Sequence, residues 1–555
     1  VERITRWIPI VVVAAAAVLV LFPLSVYPTL FHRTPNSPLH WMVLDHIMAA
    51  LSGDVDDMAR VVAADFPAGR PVRIIGWPVQ IMALPFVSSF GRVGALNIAL
   101  VISVVLSGVL MTRVLARFGL SWVAQAVGGL AWVTNPLMVS FLSNGQYENH
   151  VGFALPLAML GVLRRGIVGE IMMGAGLLIA AFSSPYQVIP AAIVVTAMVA
   201  LSPDRRLGGL TFVLVCVLSC CYWYYTGPQP QPGGECGPTS GTMPLVIAEL
   251  FGFTGAIDAE MPFRPDRWSS FSATIADPIQ RTRSIDVHNL NVAPGSGYLG
   301  IVPLVLGAVG LWRVRETGWS RPLAVGAMGC AILALGPELS VVRGSAINLP
   351  LPADVFGLFP GLSQMGTTLR FMSGAAFVMV VGLAFFVHGM RNAGRWAVVV
   401  VIALFGDWAF GTVSDVPMRA RSYRLPAGFD ALPDEGAVIT VPIQERVSPE
   451  AHLWMGAILE RDVVGYCDQS IKEYAKAYSI IDYVQGGRPP DSAMIRSDFS
   501  RLRDAGIGYV AFMVAEPGAD RFKRAAQQLT FAFGSPDAVG DGIIGYRTDR
   551  SSPEQ

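Results

Sequence analysis

Long apolar runs broken by short arginine-bearing turns dominate the first 413 residues of the chain. A membrane-spanning helix needs about 20 mostly apolar residues. The runs that approach this length are 7–30, 94–115, 121–142, 150–163, 168–183, 186–201, 208–226, 298–312, 322–339, 371–389 and 395–413. They predict an α-helical membrane bundle of about 11 transmembrane helices. From residue 414 the pattern changes. The stretch 437–443 (AVITVPI) predicts a buried strand after a Pro-Asp-Glu-Gly turn, 499–505 a helix ending at Gly506, and 508–514 a second strand. The stretch 520–529 predicts a helix and 543–547 a last strand, so 414–555 is expected to be a soluble α/β domain.

Arginine positions orient the spans. With the N-terminus in the cytoplasm, Arg113/Arg117, Arg164/Arg165, Arg205/Arg206, Arg313/Arg315 and Arg391/Arg395 all fall in cytoplasmic turns, as the positive-inside rule requires. The larger segments 31–93, 143–149, 227–297 and 340–370 then lie outside, and an odd number of spans places the C-terminal domain outside too. The apolar stretch 74–90 contains Pro78 and Pro85. Were it a span, every later arginine cluster would change sides, so it is expected to be interfacial or re-entrant. Ser183-Ser184-Pro185-Tyr186 predicts a turn between two helices, with one kinked helix as the alternative. At the N-terminus a cleaved signal peptide competes with a retained span. The length of the run and the lack of a small-x-small site after it favour the span.

Composition agrees. The chain has 555 residues, 53% hydrophobic and 14% charged, against about 25% charged in an ordinary soluble domain. Its formal net charge is zero, which supplies no basic field for nucleic acid. Cys216, Cys220, Cys221 and Cys330 lie inside apolar runs, where small packing roles are expected. Cys236 and Cys467 lie in outer regions as a candidate pair, and no cysteine spacing resembles a zinc site.

Polar residues crowd the outer ends of the spans in four places. The first loop carries His40, Asp45 and His46 on 40–51, whose apolar spacing predicts a helix along the interface, followed by Asp54, Asp56 and Asp57. His40 is a candidate acid or base because imidazole titrates near neutrality. The second place is the turn Asn144-Gly145-Gln146-Tyr147-Glu148-Asn149-His150, where a carboxylate and an imidazole beside hydrocarbon are costly without partners. Function and a structural hydrogen-bond network are both open readings there. The third is 349–371, whose prolines and glycines exclude a continuous helix and which ends in Arg370. A lone arginine at the outer edge either grips a phosphate with its bidentate fork or snorkels to headgroups. The fourth is the loop 227–297, where Trp268 beside Arg264, Asp266 and Arg267 could stack on a sugar or simply pack a surface loop.

These residues also carry a resemblance. Asp65-Phe66-Pro67-Ala68-Gly69, Ser143 to His150 followed by Leu155-Pro156-Leu157, Ser183-Ser184-Pro185-Tyr186, and Leu349-Pro350-Leu351-Pro352 with Phe359-Pro360-Gly361 and Arg370-Phe371 recur in order. With the α/β tail, this order resembles bacterial multi-pass glycosyltransferases of the GT-C type. The resemblance implies sugar transfer from a polyprenyl-phosphate donor to a glycan, lipid or protein acceptor at the outer face of a bacterial inner membrane. It implies Asp45 or Glu148 as the base on the acceptor, and His40 and His150 as orienting or relaying groups. It further implies Arg370 on the donor phosphate, and Asn144, Gln146, Tyr186 and Trp268 as substrate contacts. A divalent cation is the only cofactor it leaves open. The chain departs from the pattern at Asn36-Ser37, where the relatives hold Gly-Asp. An amide cannot accept the proton. Another loop carboxylate therefore substitutes, or the protein is a non-catalytic binding or assembly protein with this fold. A transporter is the third reading, weakened by the absence of a convincing internal repeat.

Overall fold

The computed structural model describes residues 7–27, 31–32, 37–52, 60–61, 70–71, 77–143, 145, 147, 151–164, 166–201, 298–335, 339–340, 346–347, 368–412, 420–421, 437–441, 478–479, 483, 488–504, 506–513, 520–540 and 543–549. They fall into two compact units. One is built from 7–32, 77–201 and 298–421, the other from 37–71 and 437–549.

The first unit is helical. Among the described residues, three helical stretches are long and apolar enough to cross a membrane: Trp77–Arg117, Trp122–Ser143 and Leu369–His388. Six shorter apolar helices pack around them. The chain is thus a membrane protein with a mostly helical fold. The first apolar run differs from expectation, because its helix is only Ile8–Val20, and residues 21–26 form turns around Pro23. Proline supplies no N–H to continue the ladder.

The stretch at 74–90 also gains definition. Helix Trp77–Ala83 passes through a 3₁₀ turn, Leu84–Phe86, into the long helix Val87–Arg117. Gly91 (φ 66°, ψ 175°) breaks this run near its start, a conformation that a residue with a Cβ rarely adopts. Unbroken, the 41 residues from Trp77 to Arg117 would be about twice the length that crosses a bilayer. The run 121–142 is two helices, Trp122–Val133 and Pro136–Ser143. Asn135 sits between them and accepts the Leu137 N–H at 3.1 Å, with proline in the first helical position. The Ser-Ser-Pro break is a true turn. Ile167–Ser183 ends, Ser184 is extended (φ −171°, ψ 144°), and Pro185–Leu201 begins and packs against its predecessor.

Glycines bring helix backbones into contact. A Cβ on Gly310 would lie 1.9 Å from the Gly382 carbonyl oxygen, and one on Gly382 would lie 2.3 Å from the Gly307 carbonyl oxygen. Helices Ile301–Arg313 and Met372–His388 therefore touch backbone to backbone. Helices Ala154–Leu163 and Ile167–Ser183 do the same through Gly161 and Gly176. Lipid tails are as apolar as leucine, so close packing by small residues replaces the hydrophobic drive between such helices.

Three of the arginine-bearing turns, those that follow Arg117, Arg315 and His388, share one end of this unit. Phe118 lies 5.6 Å from Trp319 and 5.5 Å from Phe385, ring centre to ring centre. The Ser121 N–H donates to His388 Nδ1 at 3.1 Å. The short strands Phe31–His32 and Ala420–Arg421 pair antiparallel in the same unit.

The second unit contains helix Ser37–Ser52 and a four-stranded sheet. Strand Ala437–Val441 runs parallel to Ile507–Met513, which pairs antiparallel with Ile543–Arg547. Ala538–Gly540, which the sequence pattern does not announce, completes the edge. Helix Ser492–Asp504 begins about two turns before the expected 499–505, and Asp520–Phe533 runs about one turn past 529. Their Phe499 and Phe533 rings meet at 4.5 Å over buried Ile495, Leu502, Val510 and Leu529. Asp498, 5% exposed, accepts the Ser479 N–H at 2.6 Å and anchors that turn to the helix.

Candidate functional site

Two sequence breaks meet in the first unit. The Ser-Ser-Pro turn delivers Tyr186 at the start of its helix, where the Tyr186 N–H donates to Ser184 Oγ at 3.2 Å. The 3₁₀ turn Thr368–Phe371 delivers Arg370 at the start of Met372–His388. The Arg370 guanidinium carbon stands 4.5 Å from the centre of the Tyr186 ring, a cation–π contact. The same ring meets Phe371 at 5.9 Å. Gly374, one turn further, is pressed against the neighbouring helices: a Cβ there would lie 2.4 Å from Cys330 Sγ and 3.0 Å from Pro190 Cβ.

The electrostatics of this corner are one-sided. Arg370 Nε is buried and has no hydrogen-bond partner, and among the described residues no carboxylate pairs with the guanidinium. Arg370 also sits at a helix N-terminus that no side chain caps, where the macrodipole already carries about half a positive charge. A buried donor without a partner costs about 1–3 kcal/mol. An anion placed here would satisfy the Nε–H, pair with the guanidinium and complement the helix end.

The other candidates stand elsewhere. His40 (6% exposed) and half-buried Asp45 belong to helix Ser37–Ser52 in the second unit, with Trp41, Leu44 and Ile47 buried beside them. Five helical residues separate the two by about 140° around the axis, so the helix alone does not aim them at one point. Asn144, Gln146, Glu148, His150 and Trp268 lie outside the described residues, although Gly145 and Tyr147 between them are buried. Among the described residues no group of His, Cys, Asp and Glu is arranged to hold a metal ion.

One polar residue escaped the sequence reading. Asp407 lies within the apolar helix Ala393–Thr412. Its carboxylate accepts the Tyr298 O–H, the Ile301 N–H at 3.1 Å and the Val302 N–H at 2.9 Å. It thereby caps helix Ile301–Arg313 from a different helix. Asn135 braces the same corner by donating to the Leu299 carbonyl at 3.1 Å. A lone acid in a span was the available signal.

The fold has solved counterparts. A mutant of the mycobacterial arabinofuranosyltransferase AftD, seen by cryo-electron microscopy, superposes with a TM-score of 0.54 at 13% identity, covering 92% of this chain and 36% of that one. The Archaeoglobus fulgidus oligosaccharyltransferase in its apo form gives 0.47 at 12% identity over 91% and 69% of the two chains. The archaeal AglB complex with an inhibitory peptide and a dolichol-phosphate gives 0.45 at 11% identity over the same shares. No protein-family model matches the chain, and no curated protein matches it. At 13% identity the likeness to AftD is one of fold. The chain shares the fold of the arabinofuranosyltransferase over little more than a third of that enzyme's length.

Proposed function

We propose that the protein is an integral membrane glycosyltransferase of GT-C type. It moves a sugar from a polyprenyl-phosphate donor to a glycan, lipid or protein acceptor at the extracytoplasmic face of a bacterial inner membrane. In this reading about 11 helices cross the bilayer. The arginine turns face the cytoplasm, and the C-terminal α/β unit lies outside.

The observation that supports the reading is Arg370: a cation at a helix N-terminus, with a buried N–H that has no partner and no described carboxylate beside it. Transfer breaks the bond between the sugar's anomeric carbon and the phosphate oxygen. Negative charge grows on that oxygen as the bond lengthens. A fixed guanidinium stabilises this charge more in the transition state than in the ground state, which is where binding accelerates a reaction. The Tyr186 ring restrains the guanidinium, so less ordering remains to be done on binding. The acceptor hydroxyl attacks the same carbon and gives its proton to a carboxylate, Asp45 or Glu148, with His40 and His150 relaying or orienting.

Membranes containing the full chain and a radiolabelled polyprenyl-phosphate sugar test this. Arg370→Ala is expected to lower kcat/KM by about 100-fold or more, the cost of removing one transition-state donor. Arg370→Lys is expected to recover part of it, since charge remains and the fork is lost. Tyr186→Leu should raise KM several-fold while Tyr186→Phe keeps it, because the ring and not the hydroxyl faces the cation. Of Asp45→Asn and Glu148→Gln, one should cut kcat by about 100-fold or more with donor binding retained. Wild-type turnover in Arg370→Ala would refute the assignment. A wild-type chain that binds donor without transferring sugar would replace it with a binding protein.

A further inference from the structure

The opposite end of the helical unit carries a surface of its own. The turns that converge there expose Arg117, Arg313, Arg315, Arg321, Arg391 and Arg395, and among the described residues of these turns the one exposed acid is Glu316. Among the described residues none of these six arginines forms an ion pair. Two have an internal reason to be cationic: Arg117 and Arg313 stand in the last turns of their helices, where the macrodipole favours positive charge. Two stand against it. Arg321 and Arg395 lie in the first turns of Ser320–Ala334 and Ala393–Thr412, where a cation is disfavoured and an anion is welcome.

Tryptophans share the surface. Trp312 is 68% exposed and Trp396 50%, adjoining Arg313 and Arg395 in the chain, and Trp122, 43% exposed, opens the helix that follows the Arg117 turn. The Arg315 guanidinium rests 4.6 Å from the centre of the Trp312 ring, and that of Arg313 4.7 Å from Phe386. Indole rings settle at headgroup depth, between hydrocarbon and water. A soluble anion would account for the arginines and leave the exposed indoles in water. A headgroup layer accounts for both.

We infer that this end of the bundle is a docking surface for anionic phospholipid headgroups, with the arginines on phosphates and the tryptophans seated beside them at headgroup depth. This would hold whatever group the protein transfers. Because each basic side chain near such a surface strengthens binding about fivefold, a cluster of six selects acidic over zwitterionic lipid strongly.

The experiment uses the full chain in nanodiscs of equal phosphatidylglycerol and phosphatidylcholine, released into the gas phase for native mass spectrometry. The wild type should retain phosphatidylglycerol in clear excess, and the excess should shrink as sodium chloride rises during reconstitution. The triple variant Arg315→Gln, Arg321→Gln, Arg395→Gln should lose at least tenfold of that preference. The matching triple to lysine, which keeps the charge, should hold it and shows that the fold tolerates change at these positions. An unchanged preference in the glutamine triple, or no preference in the wild type, overturns the inference. So does complete displacement of the lipid by millimolar inorganic phosphate, which would mark a small-anion site.

Discussion

Valine at Gly310 should prevent the helical unit from assembling. Helices Ile301–Arg313 and Met372–His388 make the most extensive helix contact in the unit, and they make it through Gly307, Gly310 and Gly382. A Cβ on Gly310 meets a carbonyl oxygen at 1.9 Å. The obstacle is backbone within a helix, so no rotamer change relieves it and the two helices must separate. Overpacking in a core that can adjust costs about 1–3 kcal/mol. Here separation also forfeits the van der Waals contact that holds helices together in lipid, so about 3 kcal/mol is a lower bound. Against a total of about 5–15 kcal/mol, that is enough to leave little folded protein. Size-exclusion profiles of detergent-extracted membranes should show Gly310→Val as aggregate or absent, with Gly310→Ala intermediate. Gly394→Ala and Gly406→Ala are the controls, since a methyl at either position meets nothing within 4 Å. They should be neutral or gain about 0.5–1 kcal/mol from reduced chain entropy. A monodisperse, heat-stable Gly310→Val would show that the helices are not in backbone contact.

What the sequence made legible follows from how local each cause is. The break at Ser183-Ser184-Pro185 could be read because proline and paired serines act on their own backbone, and the helices Ile167–Ser183 and Pro185–Leu201 end and begin there. Strand Ile543–Arg547 was readable for the same reason, as a short run of β-formers set off by its flanks. The break at Thr134–Asn135 was as local, since Asn-Pro is a turn signal, but apolar length across 121–142 outweighed it. The glycine contacts were not readable at all. Gly310 and Gly394 look alike in the chain, and only the neighbouring helix makes one indispensable and the other replaceable. The candidate site divides in the same way. Arg370 stood out as a cation against the charge bias, and Tyr186 as part of a turn motif. That the ring of one lies under the guanidinium of the other depends on how three helices pack, which no local pattern encodes.

Asp407 reverses the usual inference from an acid in a span. Such a residue is by default a functional candidate, because lipid makes an idle charge expensive. Here its oxygens are already occupied by the Tyr298 O–H and the Ile301 and Val302 N–H groups, the orphan donors of a helix start. Gly300 permits the approach: its φ of 91° suits glycine, and a Cβ would come within 2.8 Å of Asp407 Oδ2. The first N–H groups of a helix have no acceptor within the helix itself. Asp407→Ala therefore strands several at once and should cost about 3–5 kcal/mol, from hydrogen bonds to a charged group worth about 1.5–3 kcal/mol each. Asp407→Asn keeps one acceptor oxygen and should cost about 1–2 kcal/mol, chiefly the lost charge at the positive helix end. Tyr298→Phe removes one donor and leaves the two N–H bonds intact, so it should cost least, about 1 kcal/mol. Thermal unfolding of the purified variants should give that order. Sugar transfer per folded molecule should stay at the wild-type level in Asp407→Asn and Tyr298→Phe, since neither residue has a free oxygen to offer a substrate. An Asp407→Asn protein as stable as wild type but unable to turn over would make Asp407 a chemical group and not a cap.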